Sequence, residues 1–416
     1  MKSTDTPSPL ASPPTGQAKT SFSSLLAEFH SLRGQIGGLF ALAGVDPTKT
    51  REPARDLGIS RGLAWRLTRI VRESDPTPAV TDLPGPASMA KFFDACRARA
   101  VPEEAIAKAV AAFERFESVL SSCTGDRKTL AMMMVNRSPV NAGNEASKAR
   151  RQLFDGACGV WGVQAQTRFV SVFVFPSPDD PDMLNAGHVT GFVGFRRLSP
   201  KPWPLSYEAL HTATGDAARL LKTPLDPEGV GEGQLQLLKR FCTPSLPDIR
   251  VVESGSYKRF ELAAGPVGNE GLTTCVFGTH LRHIYPRYSE TPDTAGFMVL
   301  LTTPVERVMF DMYVHRSMNM ETPPPAQLLD RLAFPHASPE SDFARQSLPI
   351  AEAPTLLPAG IEGTLAPSIP WYTSLVEDVT SRLGIPITDF VGSRFEMSFP
   401  PIATTLSRRF DLWPKP

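Results

Sequence analysis

The first apolar rhythm in the chain has a helical period. Residues 1–20 are Ser, Thr and Pro with almost no apolar content; they cannot bury enough surface to offset ordering and are expected to be disordered. From residue 21 onward Leu25, Leu26, Phe29, Leu32 and Ile36 recur three and four apart, the spacing that lines one face of a helix. Gly37-Gly38 marks either a close helix contact or the end of that helix. After the turn Leu83-Pro84-Gly85-Pro86 the pattern predicts a helix over 88–99. Pro102-Glu103-Glu104 then opens another, since proline fits the first turn and acidic residues favour the positive end of the helix dipole. Its apolar positions Ile106, Val110, Phe113 and Phe116 run to Leu120, and a further helix includes 145–154. Residues 21–155 therefore read as an all-α domain.

The period then changes. Residues 169–175, Phe-Val-Ser-Val-Phe-Val-Phe, are dense in β-branched and aromatic side chains and read as a buried strand. A loop rich in Pro and Asp leads to a second strand at 188–197, which suggests an antiparallel pair. Helical pieces follow, notably 234–241. A second β region offers strands at 273–284, 297–302 and 308–314, and the tail offers a helix at 372–383 and a strand at 390–397. The two β regions share an order of strand, acidic Pro-containing loop, Ala-Gly and apolar strand, with Ala186-Gly187 and Ala295-Gly296 in matching places. A duplicated module dividing near 260 accounts for this, and so does the general preference of loops for these residues. The expected class is α+β: an N-terminal all-α domain, then an antiparallel-β-rich region with helices over 156–416.

Composition narrows the classes. The 416 residues suffice for two or three domains, and 41% hydrophobic with 21% charged residues is ordinary for a globular protein. Proline is abundant at 41 residues, most of them after residue 175, where it marks turns. The formal net charge is zero, so any nucleic-acid surface must be local. The N-terminus lacks the apolar core of a secretory signal, and no run approaches the ~18 apolar residues of a membrane span. Cys96, Cys123, Cys158, Cys242 and Cys275 form no CxxC pair, which argues against a zinc ribbon or a disulfide framework. A cytoplasmic protein with reduced thiols and no membrane contact is the expectation.

One segment carries a recognisable device. Over 48–72, Ala54 supplies a small residue where two helices cross, and Gly58, four later, supplies a turn residue tolerant of positive φ. Leu57 and Ile59 flank the turn, Ala64 and Leu67 fall on the inner face of the second helix, and Ser60 is placed as its N-cap. The string PARDLGISRGLAWRLTRI resembles the helix-turn-helix of bacterial transcriptional regulators over about 25 residues. Pro53 stands where such motifs usually carry an apolar residue, and is harmless only if the first helix begins near Arg51. The resemblance implies that the second helix enters the major groove of double-stranded DNA, with Ser60, Arg61, Gly62, Trp65, Arg66, Arg69 and Arg72 facing it. Arg61 and Arg66 would meet guanine edges or phosphates, Gly62 would let the backbone approach, and Arg69 and Arg72 would lie nearer phosphates. The ring of Trp65 is expected to be partly buried against a neighbouring helix. From Lys49 to Arg72 seven basic residues (Lys49, Arg51, Arg55, Arg61, Arg66, Arg69, Arg72) face two acids (Glu52, Asp56), a local excess of five.

Other chemistry is weaker. His280 and His283 lie on a strand, where an offset of three places them on opposite faces, so no metal site is expected. Gly229-Val230-Gly231-Glu232-Gly233 follows no strand and reads as a loop, and no GxSxG or GxxxxGK[ST] motif occurs. No catalytic residue, metal or cofactor is assigned. Three functions stay open. The first is a DNA-binding regulator with a C-terminal region that dimerises or senses a small-molecule effector. The second is an interaction scaffold using the tri-helical domain. The third is an enzyme with a site around His188, Glu253, His280 or His315.

Overall fold

The computed structural model describes residues 22–49, 52–73, 79–135, 139–209, 221–226, 235–254, 257–290, 293–320, 322–330 and 347–415. The expected disordered tail, Arg51 and the glycine-rich stretch 229–233 lie outside them. The chain forms two compact units, Met1–Glu145 and Ala146–Pro416. It is an α+β protein, with helices first and strands after.

The first unit contains α1 (Phe22–Leu42), α2 (Glu52–Asp56), α3 (Arg61–Arg72), a 3-10 turn (Val80–Asp82), α4 (Pro86–Ala98), α5 (Glu103–Thr124) and α6 (Arg127–Val135). The three-and-four spacing read in α1 is its buried face: Leu25, Phe29, Leu32, Ile36, Leu39 and Phe40 are all buried. They meet Ile106, Ala109, Phe113 and Phe116 of α5, with the Phe29 and Phe116 rings 5.9 Å apart. Gly37-Gly38 does not end α1. A Cβ on Gly37 would lie 3.7 Å from Cγ1 of Val71, so α3 runs close to the helix there. Arg33 of α1 ties the same two helices, donating to the carbonyls of Val71 at 3.0 Å and Glu73 at the C-terminal end of α3, where helix carbonyls lack intrahelical partners.

The second unit opens on the latter part of α7 (Pro139–Trp161). Composition places the domain boundary at 155/156, whereas packing places it at 145/146. The reason is that buried Phe154 sits 5.3 Å from the ring of Phe399, and the Arg151 guanidinium lies 5.1 Å above that ring. The strands that follow are β1 (Val163–Pro176), β2 (Met183–Arg197), β3 (Trp203–Ala209), β4 (Leu221–Pro224), β5 (Ile249–Ser254), β6 (Tyr257–Leu262), β7 (Thr273–Pro286), β8 (Tyr288–Ser289), β9 (Thr294–Leu301), β10 (Val305–His315), β11 (Ala326–Leu329), β12 (Ser347–Leu348), β13 (Thr355–Leu356), β14 (Phe390–Ser398), β15 (Thr404–Asp411) and β16 (Trp413–Pro414), with α8 (Tyr372–Leu383) between β13 and β14. A seven-stranded sheet has the order β13-β14-β10-β1-β2-β7-β4, antiparallel except where β1 and β10 run parallel. A four-stranded sheet, β12-β11-β15-β9, and a three-stranded one, β3-β6-β5, complete it with the short pair β16-β8.

The unbroken apolar run in β1 follows from burial on both faces. Phe169, Phe173 and Phe175 point to α8, against Tyr372, Leu375, Val376 and Val379. Val170, Val172 and Val174 point to the four-stranded sheet, against Phe297, Val299, Leu301, Leu406 and Phe410. The division expected near 260 has no counterpart, because strands on either side of it, β2 and β7 or β1 and β10, are paired neighbours. Ala186-Gly187 lies in the seven-stranded sheet and Ala295-Gly296 in the four-stranded one, so the two β regions do not fold as equivalent modules. The helix expected over 234–241 is a 3-10 turn, Lys239–Phe241. Its flanking backbone instead bonds β7, with Leu238 N–H to Val276 O and Gly278 N–H to Gln236 O, both at 2.9 Å. No helix among the described residues is long and apolar enough to cross a membrane.

Between α8 and the sheet lies a buried polar knot. The fully buried carboxylate of Asp311 on β10 receives a two-pronged ion pair from Arg394 on β14, Nε to Oδ1 at 2.9 Å and one terminal nitrogen to Oδ2 at 2.8 Å. The hydroxyl of Tyr372 donates to the same Oδ2 at 2.7 Å, and that of Tyr313 lies at 3.1 Å. Burial raises the pKa of both phenols well above the usual tyrosine value, which keeps them as donors. Arg394 also donates to the carbonyls of Leu365 at 2.6 Å and Thr364 at 3.2 Å, which draws the turn before α8 onto the sheet. Asp311→Ala should destabilise the protein by about 3–5 kcal/mol, because it strands a buried guanidinium. Tyr372→Phe should cost about 1–3 kcal/mol. Urea denaturation of the two variants beside the wild type reads both, and equal small losses would mean that the knot is solvated.

Candidate functional site

The segment holding α2 and α3 is built from local rules. α2 begins at Glu52, so Pro53 falls in its first turn and its missing N–H costs nothing; its ring is buried. The chain leaves α2 through Leu57 N–H to Pro53 O at 3.2 Å and Ile59 N–H to Ala54 O at 3.1 Å. Gly58 takes φ +63°, the left-handed conformation that the turn demands, in open space where a Cβ would touch nothing. Ser60 caps α3, its Oγ accepting from Leu63 N–H at 3.3 Å. Leu63, Ala64, Leu67 and Ile70 are buried, and the opposite face of α3 looks outward.

On that outward face Ser60, Arg61, Gly62, Trp65, Arg66 and Arg72 are exposed. Arg61, Arg66 and Arg72 take part in no ion pair or hydrogen bond among the described residues. Among the described residues of the segment, Lys49 and Arg55 are engaged. Lys49 pairs with Glu52 at 2.9 Å and Arg55 with Asp56 at 3.0 Å.

Two positions differ from the sequence reading. Trp65 is 51% exposed, and the group over its ring is Arg69 of its own helix. Arg69 is not a freely solvated cation. Its guanidinium lies 3.2 Å from Asp82 on the 3-10 turn and 5.3 Å over the Trp65 ring. Asp82 lies ten residues beyond Arg72, at the end of the 3-10 turn Val80–Asp82. Its carboxyl is pushed up by burial, against the pull of Arg69 and Arg66. Among the described residues the free positive surface therefore centres on Arg61, Arg66 and Arg72, with Arg69 over the tryptophan ring.

The remaining candidates do not converge. His188 stacks on Phe297 with centroids 6.4 Å apart, and burial, helped by Arg168 and Lys222, pushes its imidazole down to about 4. His283 bonds Ser177 Oγ at 3.2 Å, His315 bonds Ser317 Oγ at 2.8 Å, and Glu253 is exposed on β5. No group of three His, Cys, Asp or Glu among the described residues is placed to hold a metal. A groove of about 430 Å³ between α4 and α5 is lined by Phe93, Val110, Phe113, Glu114 and Glu117 and holds none of these histidines.

Gly58→Ala should cost about 1–2 kcal/mol through the left-handed backbone alone, while Gly58→Asn, which tolerates that region, should be close to neutral. Thermal denaturation separates the two, and equal losses would indicate a steric role for the position. His188 predicts a pH effect. Its folded pKa lies below the unfolded value of 6.5, so the unfolded state binds the proton first. Its contribution is complete above pH 6.5 and is lost as pH falls from there toward about 4. Stability measured across that window should fall less steeply in His188→Gln.

Against known proteins the chain stands apart. No protein-family model and no curated protein matches it. A crystal structure from Parabacteroides distasonis ATCC 8503, described as a "putative protease", aligns over 61% of this chain and 41% of its own length, at 8% identity and a TM-score of 0.28. That likeness is too low to carry an argument about fold or function.

Proposed function

We propose that the protein binds double-stranded DNA sequence-specifically through the outward face of α3 and serves as a cytoplasmic transcriptional regulator. The observation that carries this reading is the row of exposed, unpaired cations Arg61, Arg66 and Arg72 on a capped helix that follows a glycine turn. A helix N-terminus with exposed Ser60, Arg61 and Gly62 offers backbone and side-chain donors at the end that meets base edges in this class of motif. One such helix covers a half-site, so a homodimer is part of the proposal, with the C-terminal α+β unit supplying dimerisation or the binding of a small-molecule effector.

A protein-contact role for the same face is the competing reading, and exposed Trp65 favours it, since tryptophan is enriched at protein interfaces. Binding of the full chain to a selected duplex, followed across salt, distinguishes the two. Three unpaired arginines predict a log–log slope of roughly −3 per protomer. Arg66→Glu with Arg72→Glu should abolish retention while leaving the fold intact. Asp82→Asn should release Arg69 and steepen the slope by about one unit. Arg61→Ala should relax base preference at particular positions by about 1–3 kcal/mol. A salt-independent interaction, or failure to enrich any duplex from a random pool, would transfer the face to a protein partner.

A further inference from the structure

Two of the five cysteines lie beside each other where the chain around residues 238–243 runs along β7. Cys242 follows the 3-10 turn that lies along β7, and the backbone is pinned on both sides of it. Leu238 N–H donates to Val276 O at 2.9 Å, Thr243 N–H to Thr274 O at 2.9 Å, and Thr274 N–H returns to Thr243 Oγ1 at 2.8 Å. Cys275 is the residue between those two anchors. The Sγ of Cys242 sits 3.3 Å from the Val276 N–H nitrogen that points to it, which places it beside Cys275, the preceding residue of β7. Cys242 is half-buried and reaches solvent, whereas Cys275 is buried.

A buried cation stands beside the pair. Arg168 on β1 registers with Phe192 on β2, which registers with Cys275 on β7, so all three share one face. The Arg168 guanidinium lies 4.3 Å over Phe192 and 5.8 Å from Phe277. It is 8% exposed, donates to Gly191 O at 3.2 Å, leaves its Nε without a partner and joins no salt bridge among the described residues. A buried guanidinium with no carboxylate is costly unless a negative charge appears nearby, and Cys275 is the group whose thiolate it would favour.

We infer that Cys242 and Cys275 form a peroxide-reactive dithiol, with Cys242 as the attacking sulfur and Cys275 as the resolving one. The Cys242 thiolate attacks one oxygen of a hydroperoxide; the O–O bond breaks, the departing oxygen takes a proton, and Cys242 becomes a sulfenic acid. Cys275 then loses its proton beside Arg168 and attacks the Cys242 sulfur. The S–O bond breaks, the S–S bond forms, and the hydroxide leaves with that proton as water. With hydrogen peroxide the two thiols give up two electrons and two protons, and two waters result. The asymmetry matches the environments: Cys242 is half-buried with the Val276 N–H aimed at its sulfur, while Cys275 is buried beside Arg168. Cys96 and Cys158 are pushed up to about 11 by burial and serve as internal controls.

The test exposes the native full-length chain to hydrogen peroxide, quenches with N-ethylmaleimide and maps peptides without reduction. The expected result is a mass loss of about two daltons and a peptide joining Cys242 to Cys275, formed about tenfold faster than N-acetylcysteine reacts under the same conditions. Cys275→Ala should accumulate a dimedone-reactive sulfenic acid at Cys242, and Cys242→Ser should leave Cys275 as a thiol. Retention of the wild-type circular dichroism spectrum certifies the variants, and the wild-type cross-link decides the matter if either variant misfolds. Oxidation of Cys242 no faster than N-acetylcysteine, a link to any other cysteine, or a link that appears only after denaturation would overturn the inference.

Discussion

The carboxylate of Asp311 is the point on which the second unit turns. It sits with no exposure at the centre of β10, and a charge so placed is tolerable only when its oxygens are fully engaged. Arg394 meets both oxygens, Tyr372 and Tyr313 approach one of them, and the Tyr372 hydroxyl also bonds Ser171 on β1 at 2.7 Å. Three strands, the helix α8 and the turn before it therefore share one electrostatic requirement. That requirement fixes the position of α8 along the sheet, since the aromatic contacts around Phe169, Phe173 and Phe390 would permit sliding and the carboxylate does not.

Buried arginine without an acid is the second theme of this unit. Arg408 on β15 is fully buried and is satisfied entirely by oxygen dipoles, donating to Phe310 O and Ser393 O at 3.0 Å and to Pro324 O at 2.9 Å. Arg197, equally buried, bonds Lys201 O at 3.1 Å and the carbonyl of Ala263. Both close loops onto strands; the bonds of Arg408 engage all three of its nitrogens, and Arg197 leaves one terminal nitrogen without a partner. Arg168 keeps one bond and two aromatic contacts, and it shares a sheet face with Cys275.

In the first unit the same residue type does the opposite. The motif's outer face exposes arginines that the inner core does not need, and the count of charges along the chain overstates how many of them are available. Lys49 and Arg55 are held by neighbours in sequence, and Arg69 is held by a residue thirteen positions later. What is left is a narrower patch, concentrated on one helix and accompanied by an exposed indole. Under the proposed DNA-binding role, a narrow patch in a chain of zero net charge would give a modest sequence-independent attraction, and base contacts would carry a larger share of the affinity.

Periodicity and punctuation were enough to place the local elements. The helical face of α1, the cap at Ser60, the positive φ at Gly58, the doubly buried β1 and the span of α8 all follow from rules that act within a few residues. Rules of that range stop at the sheet. They could not tell that residues 234–241 would lie along β7 instead of coiling, because the bonds that decide it come from some forty residues away. They missed β15, whose polar pattern Thr-Thr-Leu-Ser-Arg-Arg-Phe-Asp looks like surface and is buried because distant carbonyls satisfy Arg408. They suggested a repeat that the strand order does not contain. They also left Cys242 and Cys275 as unrelated thiols, thirty-three positions apart with no motif between them. Residue type and spacing determined which segments coil or extend, whereas pairing across the sheet decided which charges are spent, which remain outward and which side chains meet.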